Sequence, residues 1–417
     1  MRVCIHRGAQ QIGGTAIELK HGGFRLLLDL GLPLNAGEAI HELLPPIDGV
    51  RNPDAALLGV VLSHGHQDHW GLLPVAPKTL AVFTGAATEH MQTAAASAFG
   101  RAAPFKAAEH LMHRRPLQIG PFRVTPYLAC HSAFDAYSLL VEAGGRRLFY
   151  SGDLRGHGRK AAMFEALLRD PPADIHTLMM EGSTLGRLNA EAQFETETDI
   201  EARLADHFRA TPGLALVFAS AQNVDRVVSV FRAAKQTGRR LVIDLYAAEI
   251  LRSTGAANIP QADWPEVAFF LPWHQAKRIK AEKAFHFLPS QGYRATRIYA
   301  EALRAAPQRF AVLANGFFMA DRNFLGCLDG ARAVWSQWEG YLQPGGFGER
   351  KAAQLVELGV PMERIHTSGH ASIPDLQRLV EALKPERLVP VHTFQPERFP
   401  ELFVNVTLRA DGEWWEV

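Results

Sequence analysis

The stretch that decides the reading is Ser63-His64-Gly65-His66-Gln67-Asp68-His69. Three imidazoles and one carboxylate follow directly on the apolar run Leu57 to Leu62. Neutral imidazole and carboxylate together suit zinc, and also manganese or iron. His64 and His66, two positions apart, can turn to one cation from a tight loop, while Asp68 and His69 face a second. Two cations roughly 3.5–4 Å apart can clamp a phosphodiester and activate a bridging water. The competing reading is a solvated polar loop. A bare HxH would leave that reading well ahead; HxHxDH with partners downstream favours the metal loop.

Such partners recur along the chain. His131, Asp153, Glu181 and His392 each directly follow a short apolar run, as His64 does. Side chains at strand ends project from a rigid sheet into loop-lined ground, so residues far apart in sequence can converge. Ile17 to Leu19 and Phe24 to Leu28 flank His21-Gly22-Gly23, a hairpin signal. Leu214 to Phe218 reads as a buried strand. Asn223 to Gln236 reads as a helix with Val227, Val230 and Phe231 on one face, ending at Gly238. Arg240 to Leu245 reads as the next strand. This order predicts an α/β domain inserted after roughly residue 190. Ser372-Ile373-Pro374-Asp375 predicts a helix start, with the helix running to about Leu383, and Arg387 to Val391 a strand that delivers His392.

Composition sets wider bounds. Of 417 residues, 47% are hydrophobic and 21% charged, an ordinary globular balance that can bury a large core. Cys4, Cys130 and Cys327 form no CxxC pair, which argues against a disulfide framework or a thiolate zinc cluster. The start MRVCIHRGAQ lacks an apolar export segment, and no apolar run nears membrane-spanning length. The expectation is a cytoplasmic protein without a membrane partner. A net charge of +1 does not favour nucleic-acid binding, yet leaves room for a local basic groove.

HGHQDH resembles the signature of the metallo-β-lactamase fold, and later pieces match in order. Asp29, ending LLLD, resembles the aspartate that braces the histidine loop. His131 in ACHSAFDAYSL and Asp153 in YSGDLRGHGRK resemble a third-motif ligand and the bridging aspartate. Glu181 in MEGST, His370 in HTSGHAS and His392 in LVPVHTF resemble motifs A, B and C of the β-CASP branch, the group of ribonuclease J and the RNA 3′-end endonucleases. VFASAQNVDRVVSVFRAAKQTGRRLVID resembles a β-CASP core segment. The resemblance implies an α/β architecture: an αββα sandwich over residues 1–188, an inserted β-CASP domain over 189–348, and a return over 349–417 carrying motifs B and C. It further implies that His64, His66 and His131 hold one divalent metal ion and Asp68, His69 and His392 the other, with Asp153 bridging. The metals would be zinc, with manganese the alternative. A hydroxide between them would attack phosphorus in the interdomain cleft. Asp68 would guide its proton, and His370, oriented by Glu181, would act on the leaving oxygen.

Further residues have two readings each. Ser368 and Ser372 could bind substrate phosphate, or Ser372 could only cap a helix. Ser220 and Asn223 resemble a Ser-Asn pair near the RNA backbone, or mark a helix start. Arg155, His157, Arg159 and Lys160 could line an anionic substrate, or form a solvated basic loop. Trp273 to Lys280 could touch nucleic acid, or be an exposed helix face. Trp335, Trp338, Trp414 and Trp415 read as packing residues, and His90, His110, His113 and His274 as non-ligands.

Two departures stand out. The further C-terminal domain of ribonuclease J is expected to be absent after Val417. Ala314-Asn315-Gly316-Phe317-Phe318-Met319 stands where a glycine-serine segment binds a 5′ phosphate in that group, which argues against 5′ exonuclease action and leaves endonuclease action open. The expected partner is RNA, or single-stranded DNA, with a homodimer as a further option. Alternatives are a hydrolase of a small ester, lactone or nucleotide, and an inactive scaffold binding RNA or protein.

Overall fold

The computed structural model describes residues 1–187, 189–283 and 293–417. Residue 188, the edge of the first expected domain, lies outside them. The chain forms two compact units. One comprises Met1–Ala96, Arg101–Phe194 and Gly369–Val417; the other comprises Ser97–Gly100 and Glu195–Ser368.

The first unit holds two mixed sheets. One is seven-stranded, in the order Trp414–Glu416, Arg2–Arg7, Ala16–His21, Phe24–Leu28, Leu57–Val61, Val82–Gly85 and Ala107–Leu111. The expected hairpin is present, and its turn residues Gly22 and Gly23 have φ of +57° and +83°, a conformation open to glycine without strain. The other sheet is six-stranded, in the order Arg387–Val391, Thr177–Glu181, Arg146–Tyr150, Tyr137–Ala143, Phe122–Leu128 and Leu117–Ile119.

Alternation along the strands splits the side chains between layers. Ile17, Leu19, Leu26 and Leu28 of the first sheet share the core between the sheets with Leu139, Val141, Leu148, Met179, Val389 and Val391 of the second. The opposite face of the second sheet, with Phe149, Leu178, Met180 and Leu388, packs on Phe164 of the helix Ala161–Arg169 and on Leu376 and Leu379 of the helix Ile373–Leu383. Leu27, Val60 and Leu62 on the outer face of the first sheet are covered by Leu44, Ile47, Trp70 and Leu72. This is the expected αββα sandwich.

The second unit is built on an all-parallel sheet in the order Arg297–Ile298, Val267–Phe270, Arg240–Ile243, Phe310–Ala314, Ala215–Phe218, Arg332–Trp335 and Met362–Arg364. Its central strands are apolar on both faces, as a helix-covered parallel sheet requires. The strand expected over Arg240 to Leu245 ends at Ile243, because Asp244 caps the helix Leu245–Ser253 by accepting from Ala247 N at 2.9 Å. The helix Val224–Gln236 starts where expected, with Asn223 accepting from Arg226 N at 3.1 Å. Arg226 is fully buried. Its Nε and Nη2 donate to Glu197 at 3.1 and 3.0 Å, and its Nη1 to Ser336 Oγ at 2.6 Å and His366 Nδ1 at 3.3 Å. Among the described residues, no helix is long and apolar enough to cross a membrane.

Candidate metal centre

The site lies at one rim of the first unit, where strands of both sheets end. Phe24–Leu28 delivers Asp29, and Leu57–Val61 leads through Leu62 into Ser63 and the HGHQDH loop. From the second sheet, Arg146–Tyr150 leads to Asp153, Thr177–Glu181 ends on Glu181, and Arg387–Val391 delivers His392. Parallel pairing sets Glu181 beside Val391, so the last two arrive side by side. Asp29 and His392 both have positive φ, +60° and +54°, so the chain bends sharply as it leaves each strand.

Two groups of donors face each other. In the first, His66 Nδ1 stands 3.2 Å from His64 Nε2 and 3.1 Å from His131 Nε2. In the second, Asp68, His69, Asp153 and His392 converge. Asp153 Oδ2 lies between the groups, 3.2 Å from His69 Nε2, 3.6 Å from His392 Nε2, 3.6 Å from His64 Nε2 and 4.0 Å from His131 Nε2. Asp68 Oδ2 is 3.8 and 3.7 Å from the same His69 and His392 nitrogens.

Hydrogen bonds behind the rings fix which nitrogen faces the pocket. Asp29 accepts from Ser63 N at 2.7 Å with one oxygen. With the other it accepts at 2.8 Å each from Ser63 Oγ, Tyr150 OH and His69 Nδ1. His69 therefore carries a proton on Nδ1 and turns Nε2 inward. Ser63 Oγ, its own proton given to Asp29, accepts from His64 Nδ1 at 3.0 Å, which leaves His64 Nε2 as the lone pair in the neutral ring. His131 Nδ1 donates to the Gly369 carbonyl at 2.6 Å. His392 Nδ1 lies 3.0 Å from Thr15 Oγ1, with the Gly13 amide at a longer 3.4 Å.

The electrostatics are those of a site built for cations. His69 Nε2, His392 Nε2 and both carboxylate oxygens of Asp153 are buried and have no hydrogen-bond partner among the described residues. A buried carboxylate left so is costly unless positive charge compensates it. Burial opposes the Asp153 charge, yet His392, His69 and His370 hold its carboxyl well below the ordinary range. Burial, then the neighbouring imidazoles, pushes His64 and His131 well below the usual histidine value, and burial takes His66 to about 4. Those three rings are neutral and ready to bind metal. His69 is the exception: burial disfavours its charge, but Asp153, Asp29 and Asp68 raise it well above 6.5. The donor set and the unpaired buried atoms fit a pair of divalent cations.

His370 and Glu181 form a third group with Asp153. Glu181 is buried and accepts from Leu154 N at 2.8 Å and from His370 Nδ1 at 2.9 Å. His370 Nδ1 is also 3.8 Å from Asp153 Oδ2. Burial works against the His370 charge, but Glu181 and then Asp153 prevail and lift it to about 9.

The other sequence candidates are placed differently. Ser372 is fully buried; it caps the helix Ile373–Leu383 through Asp375 N and donates to Gln193 Oε1 at 2.8 Å. Ser220 Oγ accepts from Gln222 N at 3.2 Å; Ser220, Asn223 and Ser368 all belong to the second unit. Arg155 and His157 are buried, and Lys160 Nζ donates to the Ala133 carbonyl at 3.2 Å, so this stretch is not a solvated loop. In the helix Trp273–Ala281, Arg278 pairs with Glu282 at 2.9 Å. Sequence reasoning gave no role to Tyr150, Ser63 or Thr15. Ser63 sits inside the quoted stretch and Tyr150 just before SGD, so adjacency to a ligand was the available signal; Thr15 carries none.

The chain as a whole is similar to known proteins. Residues 25–205 match a model described as a beta-lactamase superfamily domain, and residues 358–395 one described as a Zn-dependent metallo-hydrolase RNA specificity domain. Ribonuclease J of Mycobacterium tuberculosis is 25% identical over 264 residues, covering 58% of this chain and 44% of the relative. Ribonuclease J of Corynebacterium glutamicum is 22% identical over 427 residues, covering 94% and 53%. The chain spans about half the length of the curated relatives it matches. A crystal structure of a protein of unknown function from Enterococcus faecalis shares the fold, with a TM-score of 0.76 at 19% identity over 99% of both chains. The two matched domains are those of metallo-β-lactamase-type hydrolases, and with these relatives they make the chain similar to the β-CASP, ribonuclease J-like branch of that superfamily.

Proposed function

We propose that this chain hydrolyses phosphodiester bonds in RNA with two divalent cations. The observation that carries the proposal is the gathering of His64, His66, Asp68, His69, His131, Asp153 and His392 around buried atoms that lack partners. His64, His66 and His131 would hold one cation and Asp68, His69 and His392 the other, with Asp153 shared. Zinc suits these donors best, and manganese is the alternative. When bound, the cations would lower the pKa of a water and offset charge on the phosphate.

The remaining steps belong to side chains. Asp29 keeps His69 in one tautomer and fixes the loop. Asp68, whose side chain is 17% exposed, can take the proton of the attacking water and pass it outward. His370, held through Nδ1 by Glu181, would supply a proton to the leaving oxygen. RNA is favoured by the matched RNA-specificity segment and by the relatives named ribonuclease J; single-stranded DNA comes second. A small-ester hydrolase has no need of the second unit, and an inactive scaffold has no need of the complete donor set. Cys4, Cys130 and Cys327 are buried and form no disulfide, which suits the cytoplasm.

The test is incubation of chelator-stripped protein with 5′-monophosphorylated, 5′-triphosphorylated and circular RNA and with single-stranded DNA, before and after zinc or manganese is restored. The expected result is no cleavage without metal and RNA cleavage with it; cutting of circular RNA would add endonuclease action. Full activity in stripped protein, or no polynucleotide cut under either cation, would refute the proposal.

A further inference from the structure

In the second unit, the segment between the strand Arg332–Trp335 and the helix Glu349–Glu357 carries three aromatic rings out to solvent. Trp338, Tyr341 and Phe347 are 48%, 39% and 51% exposed, where the sequence reading expects Trp338 to pack. Ring centroids are 5.4 Å apart for Trp338 and Tyr341 and 4.4 Å for Tyr341 and Phe347. Lys351 Nζ sits 4.8 Å over the Phe347 ring, and Arg350 beside it is exposed.

The backbone under these rings is fixed. Buried Trp335 donates its indole N–H to the Trp338 carbonyl at 3.3 Å, and Gly348 N donates to the Tyr341 carbonyl at 2.9 Å. A side chain at Gly340 would run into the Trp338 ring, and one at Gly348 into Trp335. Contiguous exposed apolar rings on rigid backbone mark an interaction site rather than chance exposure.

Its neighbours say what the site meets. The strand that leads into it pairs in parallel with Met362–Arg364, inside the matched RNA-specificity segment. Ser336, the first residue of the segment, donates to the Ile365 carbonyl at 2.6 Å and shares Arg226 with His366. The acids nearby are engaged: Glu339 with Arg364, and Glu349 with Gly345 N at 2.9 Å.

We infer that Trp338, Tyr341 and Phe347 form a stacking platform for unpaired bases of the RNA substrate. The inference rests on the nuclease reading above. Every base has a π face, so such a platform holds a strand with little regard to sequence, while Lys351 and Arg350 meet its backbone phosphates.

The test uses the full chain stripped of metal, so that RNA is bound and not cut. Binding of a fluorescein-labelled single-stranded RNA is followed by anisotropy, beside a duplex of the same sequence. Trp338→Ala, Tyr341→Ala and Phe347→Ala should each weaken single-strand binding, by roughly five- to a hundredfold for a lost stack. Trp338→Phe should keep most of it, and duplex binding should stay level. Thermal melts establish that each variant is folded. Wild-type single-strand affinity in all three alanine variants would overturn the inference, as would an equal loss on duplex. Failure of the nuclease reading looks different, because the metal-loaded wild type would then cut no RNA.

Discussion

Asp29→Asn isolates what the brace behind the histidine loop contributes. The substitution keeps the side-chain shape, and asparagine tolerates the left-handed backbone at this position, where φ is +60°. One oxygen becomes an NH2 group. That group must face either the three donors around Oδ2 or the Ser63 amide at Oδ1. Facing Ser63 N is the milder choice, yet it opposes two donors and leaves a buried one unpaired, at about 1–3 kcal/mol. The bonds that remain lose their charge assistance, so the metal-free protein should lose about 2–4 kcal/mol in all. His69 also loses the carboxylate that fixes its tautomer. Losing such an outer partner typically weakens metal binding about 10- to 100-fold. Urea unfolding of stripped protein reads the first quantity, and zinc competition against a chromophoric chelator reads the second. If stability and zinc affinity both match the wild type, Asp29 does not orient the loop and the argument fails.

Other expectations follow from the same contacts. His370 is lifted to about 9 chiefly because Glu181 and Asp153 outweigh its burial, and bound cations would pull that value down. Activity needing protonated His370 should fall as pH rises through a point at or below about 9, and Glu181→Gln should move that limb to lower pH; an unmoved limb would remove His370 as the acid. Zinc binding at neutral pH should expel about one proton, from raised His69, seen by calorimetry in buffers of different ionisation enthalpy. The raised His69 also means that, in stripped protein, its charge stabilises the fold below the ordinary 6.5, a contribution lost as pH climbs through the folded-state value. Arg226→Met should destabilise the protein by about 3–5 kcal/mol by leaving Glu197 buried without its counter-charge, and adding Glu197→Gln should restore part of that in thermal melts.

The legible parts of the sequence were those whose signal is local. HGHQDH declares itself by spacing, and Asp153 and His392 by the apolar strands that precede them. The Gly22-Gly23 turn and the Ser372 and Asn223 helix starts follow from local backbone chemistry. Tyr150 stayed silent because its hydroxyl matters only through Asp29, 121 positions away, a pairing made by the sandwich itself. For Arg155, His157, Arg159 and Lys160 the charge pattern fits an anionic-substrate wall and a solvated basic loop equally; burial of Arg155 and His157 is a tertiary outcome that charge pattern does not carry. Asp244 cut a strand short because its preference for a cap outweighed the apolar run before it. Trp338 was read as core, since aromatic content alone does not tell a packed ring from a displayed one.

The donors at the rim come from both sheets: His64, His66, Asp68 and His69 from one, His131, Asp153 and His392 from the other. Any ion seated there acts as a clasp, tying the two halves of the sandwich at the edge where no hydrophobic side chain can. Free-energy linkage then makes stability rise with the logarithm of available metal. Where such an ion is scarce, the chain would be looser and more open to proteolysis at that edge.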